Sequence, residues 1–97
     1  MKPILVRPEA AEELAEAVAW YESREPGVGD SLLNDYLAVL DRLRLDPERP
    51  RLVWRSFRKV NLRRFPYAVI YRVSDEAVMV EAVAHLARRP FYWRRRI

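Results

Sequence analysis

Apolar residues along this chain change their spacing at Pro50: they recur every three to four positions before it and alternate after it. Ile4 to Arg7 is a short β-prone run stopped by Pro8, which can open a helix because the first turn needs no amide hydrogen from it. The segment from Glu9 to about Arg24 is predicted helical. Leu14, Val18 and Tyr21 form its apolar stripe, with Ala10, Ala11 and Ala17 beside them, narrow enough for a second helix to approach closely. Glu9, Glu12, Glu13 and Glu16 lie in its first turns, where the positive end of the helix dipole favours acids. Pro26-Gly27-Val28-Gly29 breaks the pattern, and Asp30 or Ser31 is the expected cap of a second helix running to about Leu45. Its buried face is expected at Leu33, Tyr36, Leu37, Leu40 and Leu43 or Arg44, widened by Leu32 and Val39. Asp46-Pro47 and Pro50 end it. So short a connection between two helices predicts an antiparallel hairpin.

Beyond Pro50, Lys59 to Arg63, Tyr67 to Val73 and Val78 to His85 alternate as strands, with Phe65-Pro66 and Ser74-Asp75-Glu76 as turns. These connections are too short for parallel crossovers, so the three runs are predicted to form an antiparallel meander. The expected fold is α+β, in the order β-α-α-β-β-β, with a helical hairpin packed on one face of an antiparallel sheet. Period alone assigns Val60, Leu62, Tyr67, Val69, Tyr71, Val73, Val78, Val80, Ala82 and Ala84 to the helix face. Lys59, Asn61, Arg63, Ala68, Ile70, Arg72, Met79, Glu81, Val83 and His85 are left on an opposite face expected to stay partly open. Glu81 is placed to neutralise Arg72 across neighbouring strands.

Charge sharpens the picture. Residues 1–50 carry 6 Lys+Arg against 11 Asp+Glu, whereas residues 51–97 carry 12 against 3, so an overall +4 conceals a dipolar molecule. A positive field on one part of a small domain attracts polyanions or an acidic protein partner. At 97 residues, half of them hydrophobic and a third charged, the chain is expected to be a single folded domain over 1–97. It contains no cysteine, which excludes disulfides and thiolate chemistry and fits a reducing cytoplasm. No apolar run approaches the length of a membrane span, so no membrane association is expected.

Several chemistries fall away. Only two glycines are present, both between the helices, so no Gly-rich phosphate loop can form. No metal-ligand spacing and no Ser/His/Asp signature occurs, and neither cofactor nor metal is expected. RNA cleavage through a 2′-hydroxyl remains feasible, needing proton transfer and cations for the phosphorane charge. His85 is the candidate for proton transfer, and Lys59, Arg63 or Arg72 for charge stabilisation. The simpler readings stand beside this one. His85 is a hydrogen-bonded residue at a strand end, Tyr92 and Trp93 pin the tail to the domain, and Arg94-Arg95-Arg96 is a solvated terminus adding salt-sensitive attraction.

The order strand–helical hairpin–three strands resembles the RelE/ParE superfamily of type II toxins from bacterial toxin–antitoxin pairs. So do Trp20-Tyr21-Glu22, Pro26-Gly27-Val28-Gly29-Asp30, Asp46-Pro47, Arg64-Phe65-Pro66-Tyr67, Ile70-Tyr71-Arg72, and His85 followed by Arg88-Arg89-Pro90 and Trp93. In the RelE-like branch the resemblance implies a ribosome-dependent mRNA endonuclease, with an arginine early in the central strand, another after the last strand, and a C-terminal tyrosine in some members. Here the first position is Ala68, the second is matched by sliding to Arg88, and Tyr92 stands near the third.

Chain order and the helix and tail motifs look more like the ParE-like branch, whose members are described as poisoning DNA gyrase by binding. That branch implies a toxin active in plasmid stabilization and neutralised by a co-encoded acidic antitoxin, which covers the hairpin and the basic sheet. The residues expected to meet antitoxin or target are Arg63, Arg72, Arg88, Arg89, Trp93, Arg94, Arg95 and Arg96. As a ribonuclease the chain would instead use Lys59, Arg63, Arg72, His85, Arg88 and Tyr92 on ribosome-bound mRNA. A non-toxic interaction module is the third alternative.

Overall fold

A computed structural model describes residues 1–96. Strand β1 (Ile4–Val6) leads into α1 (Pro8–Arg24) and α2 (Val28–Leu45), followed by β2 (Leu52–Trp54), β3 (Phe57–Asn61), β4 (Tyr67–Val73) and β5 (Val78–His85). A 3-10 segment, Tyr92–Arg96, closes the described chain. The strands form one sheet in the order β1-β5-β4-β3-β2, with every pair antiparallel except β1 with β5. The α+β class and the helical hairpin are as the pattern predicts. The sheet departs at its two edges: β2 is an added strand, and β1, expected as a strand, makes the sheet mixed rather than antiparallel. β2 is only three residues long and turns back through Arg55, which holds a left-handed φ of 49°. β1 lies parallel to β5 because the hairpin carries the chain across the sheet before the meander begins.

Helix α1 begins at Pro8 and buries Ala10 and Ala17, with Leu14, Val18 and Tyr21 partly covered; Ala11 is exposed. Small residues do bring the helices together: a Cβ on Gly29 would lie 2.7 Å from the Val18 carbonyl oxygen. The cap of α2 differs from the expectation. Neither Asp30 nor Ser31 caps it; Gly27 takes the N-cap position at φ 92°. The Glu22 carboxylate, from the preceding helix, accepts the Gly27 and Gly29 amides at 3.0–3.1 Å. The buried face of α2 is also rotated, to Leu32, Asp35, Tyr36, Val39, Leu40 and Leu43, leaving Leu37 and Arg44 exposed. Asp35 belongs there because its carboxylate accepts the Arg63 and Arg64 amides at 3.1 and 2.8 Å, tying α2 to the β3–β4 turn.

One irregularity re-sorts the sheet faces. Opposite β4, Ile70 pairs with Ala82 but Tyr71 pairs with Val80, so Glu81 is an extra residue in β5. Such a bulge shifts the alternation of everything beyond it. Val83 therefore packs in the helix-side core, while Ala82 and Ala84 pack on the other face, reversing the assignment that period alone gives. His85 turns the same way as Val83 and sets its ring edge-on to Tyr67 at 4.9 Å.

The second face is not open. The C-terminal segment folds back over it and buries Trp93 against Phe57, with ring centroids 5.1 Å apart, and beside Trp54 at 5.8 Å. Phe57, Ala68, Ile70, Ala82 and Trp93 make a second, smaller core. The expected anchoring of Tyr92 and Trp93 is what closes this face. No helix of the described residues is long and apolar enough to cross a membrane.

Candidate functional site

Two carboxylates organise the basic half of the molecule. Glu81, held in the bulge and almost fully buried, accepts Arg72 Nε at 2.8 Å and a two-point contact from Arg7 through Nε and Nη2. Bonding to Glu81 is the main reason the Arg7 guanidinium is pushed above its ordinary pKa. The expected pairing of Glu81 with Arg72 is present, and Arg7 joins it.

Glu13 plays the larger part. From α1 its carboxylate accepts the Val83 amide at 3.0 Å, Arg88 Nη1 at 3.1 Å, both terminal nitrogens of Arg96 at 3.0 Å, and the Tyr92 hydroxyl in a short contact. Arg96 also donates to the Glu81 carbonyl at 2.9 Å. Burial first, then the bond to Glu13, pushes the Tyr92 phenol well above its ordinary pKa. Phe91, at a left-handed φ of 59°, makes the turn that sends Tyr92 towards Glu13 while Trp93 enters the second core.

Beside the C-terminal segment lies a cleft of about 360 Å³. Ala68, Ile70 and Ala84 lie along it with Phe91 and Trp93, and its cations are Arg51, Lys59, Arg88 and Arg89. No carboxylate lines it, and Arg51, Lys59 and Arg89 make no ion pair among the described residues. A groove of about 380 Å³ runs along α1 past Glu16, Trp20, Tyr21, Tyr67, Val83 and His85. His85 and Arg88 border both cavities. No group of three or more His, Cys, Asp or Glu side chains gathers as metal ligands among the described residues.

The predicted site residues thus divide. Lys59, His85, Arg88, Arg89, Tyr92 and Trp93 come together around the cleft. Arg72 does not join them; it is held by Glu81 and lies over the Phe57 ring at 5.7 Å. Arg63 sits exposed in the β3–β4 turn and lines no cavity described here. The terminal triplet is not uniformly solvated: Arg95 is exposed, Arg94 lies over the Trp54 and Phe91 rings at 5.5 and 5.2 Å, and Arg96 is tied to Glu13. His85 Nδ1 accepts the Ala87 amide at 3.0 Å, the hydrogen-bonded role its place at a strand end suggests.

Sequence reasoning missed Arg7, Arg51 and the role of Glu13. A signal for Glu13 existed: it stands three residues after Ala10 and four before Ala17, so helical spacing sets an acid on the buried stripe of α1.

The family described as ParE toxin of type II toxin-antitoxin system, parDE, matches residues 4–90. Toxin ParE2 of Mycobacterium tuberculosis, in strains CDC 1551 / Oshkosh and ATCC 25618 / H37Rv, is 34% identical over 80 residues, covering 81% of this chain and 76% of the relative. Among solved structures, the chromosomal ParDE TA system from P. aeruginosa superposes with a TM-score of 0.78 at 16% identity, covering 89% of this chain and 97% of that one. The E. coli DinJ-YafQ complex superposes with a TM-score of 0.54 at 15% identity, covering 90% and 96%. At these identities the two structures show a shared fold.

Proposed function

We propose that this chain, which belongs to the ParE toxin family of type II toxin–antitoxin systems, acts as one domain over residues 1–97 in the cytoplasm and inhibits DNA gyrase by binding it rather than by cutting RNA. The observation that carries this reading is the engagement of Tyr92, the C-terminal tyrosine a ribonuclease would use, beside the neutral Ala68 on the central strand. Tyr92 gives its hydroxyl hydrogen to Glu13, and burial with that bond keeps the phenol protonated. His85 receives a backbone amide on Nδ1 and packs against Tyr67 on the helix side of the sheet. General acid–base catalysis needs both an acid and a base free to reach the reacting oxygens, and with Tyr92 engaged only the Nε2 of His85 is left. Ala68, buried on the second face, adds no cation to the cleft. What remains available is a surface built to bind.

The antitoxin is the partner such a toxin requires, and its chemistry follows from the two cavities. An amphipathic segment fits the aromatic groove along α1, and acidic residues fit the cations of the cleft. Arg89, Arg94 and Arg95 project from the C-terminal segment and form the target-facing surface. Expression in cells with parallel assays of plasmid supercoiling and mRNA integrity tests the reading. Supercoiling fails first if gyrase is the target. Early cleavage of translated mRNA with unchanged supercoiling overturns it in favour of a ribonuclease.

A further inference from the structure

The C-terminal segment carries the outward cations, yet nothing in its own sequence fixes where they point. A 3-10 turn of five residues is too short to hold itself in place. Its position depends on what it touches. On one side is Trp93, buried among Phe57, Ile70 and Ala82. On the other is Glu13, whose side chain is only 11% exposed and which receives donors from residues 88, 92 and 96, one every four positions along the segment. The Val83 amide at the same carboxylate anchors Glu13 itself to β5. Bidentate pairing with Arg96 fixes direction as well as distance, because the guanidinium fork meets both carboxylate oxygens.

This geometry sorts the tail. Arg88 and Arg96 spend their charge inward on Glu13, whereas Arg89 and Arg95 make no ion pair among the described residues and Arg94 rests on aromatic faces. Building on the reading that the C-terminal surface meets the target, we propose that Glu13 is the positioning residue of the toxin. It touches no target itself. It clamps Arg88, Tyr92 and Arg96 so that Arg89, Arg94 and Arg95 are presented in one fixed arrangement. Without the clamp the same charges remain, but on a mobile strand whose ordering would have to be supplied at binding.

Glu13→Gln in the full chain tests this, since it keeps the shape of the side chain and removes its charge. At a temperature well below the melting transition, the variant is expected to keep its far-ultraviolet circular dichroism. Two other readouts should move together. The Trp93 indole N–H resonance should shift and exchange faster with solvent, and inhibition of gyrase supercoiling per folded molecule should fall at least tenfold. Arg96→Gln, which leaves Glu13 anchored by the Val83 amide and breaks only the bidentate pair, should move both readouts while leaving the urea midpoint nearly unchanged, a split that a general loss of stability cannot give. If Glu13→Gln is poorly folded, Tyr92→Phe removes one donor and should move both readouts the same way by a smaller amount.

An unmoved indole resonance overturns the clamp. A moved resonance with undiminished potency overturns its importance for the target. Should the wild-type protein not inhibit gyrase at all, the reading of the target fails instead. The indole signal, with growth arrest in cells as the activity, then decides the role of Glu13.

Discussion

The helix-covered face of the sheet buries Leu32, Val39, Leu43, Val69, Tyr71 and Val80 in one apolar cluster, whereas the opposite face buries Phe57, Ala68, Ile70, Ala82 and Trp93 under a single 3-10 turn. The first cluster draws on both helices and four of the strands, with α1 packed on both α2 and β5. The second rests on one tryptophan and the carboxylate that grips the segment carrying it. One face therefore holds the fold and the other carries the proposed binding surface. A toxin built this way can lose or rearrange its C-terminal surface without unfolding, because the two clusters are separated by the sheet and have no residue in common.

Truncating the larger core should give the largest effect. Leu43→Ala is expected to cost about 2–5 kcal/mol in urea denaturation, since Leu43 is fully enclosed and a cavity would remain. A loss below about 1 kcal/mol would mean the helix layer is not the stabilising one. Trp93→Ala should cost less than the ~3–5 kcal/mol of an ordinary buried tryptophan, because the segment can detach and leave the helix-side core intact. Hydrogen exchange separates the two cases. Amides of β3 and β4 should speed up only modestly in Trp93→Ala, and global exchange would contradict the division of labour drawn above.

Asp35→Ala probes the seam between α2 and the β3–β4 turn. It strands the Arg63 and Arg64 amides, and a loss of about 1–3 kcal/mol by thermal or chemical denaturation is expected. Tyr71→Phe removes the hydrogen bond to the Pro47 carbonyl at 2.6 Å and should cost about 0.5–1.5 kcal/mol. Burial pushes the Tyr71 phenol up to about 12, so folding favours its protonated form. Its contribution is complete below pH 10, the ordinary tyrosine value, and is lost as pH rises through about 12. Denaturation between those limits should therefore show stability falling with pH, with a shallower slope in Tyr71→Phe. At the small end, Arg44→Ala breaks an exposed pair with Asp41 at 2.8 Å and should change stability by no more than about 0.5 kcal/mol.

Much of the fold was legible because periodicity is a local property. The limits of α1, the end of α2, the strands β4 and β5 and the turns at Phe65-Pro66 and Ser74-Asp75-Glu76 follow from spacing and turn chemistry, whereas α2 starts earlier, at Val28, and β3 spans Phe57–Asn61 rather than Lys59 to Arg63. The candidate site was less legible. Lys59, His85, Arg88, Arg89, Tyr92 and Trp93 do gather at one cleft, and Arg72 is held by Glu81 as its cross-strand place suggests, but Arg88 and Arg96 turn out to be held by Glu13. Alternation fails at Glu81, where one inserted residue carries His85 to the helix side, and no rule of period announces a bulge.

By itself the sequence determined the α+β class, the hairpin and the uneven charge, since each depends on composition or on neighbours a few positions away. Only the tertiary structure decided which cations are free. Glu13 and Arg96 are separated by nearly the whole chain, and their pairing follows from how α1, β5 and the C-terminal segment pack together. A charge in sequence is only a formal count; its partner in space decides whether that charge meets the target or holds the surface that does.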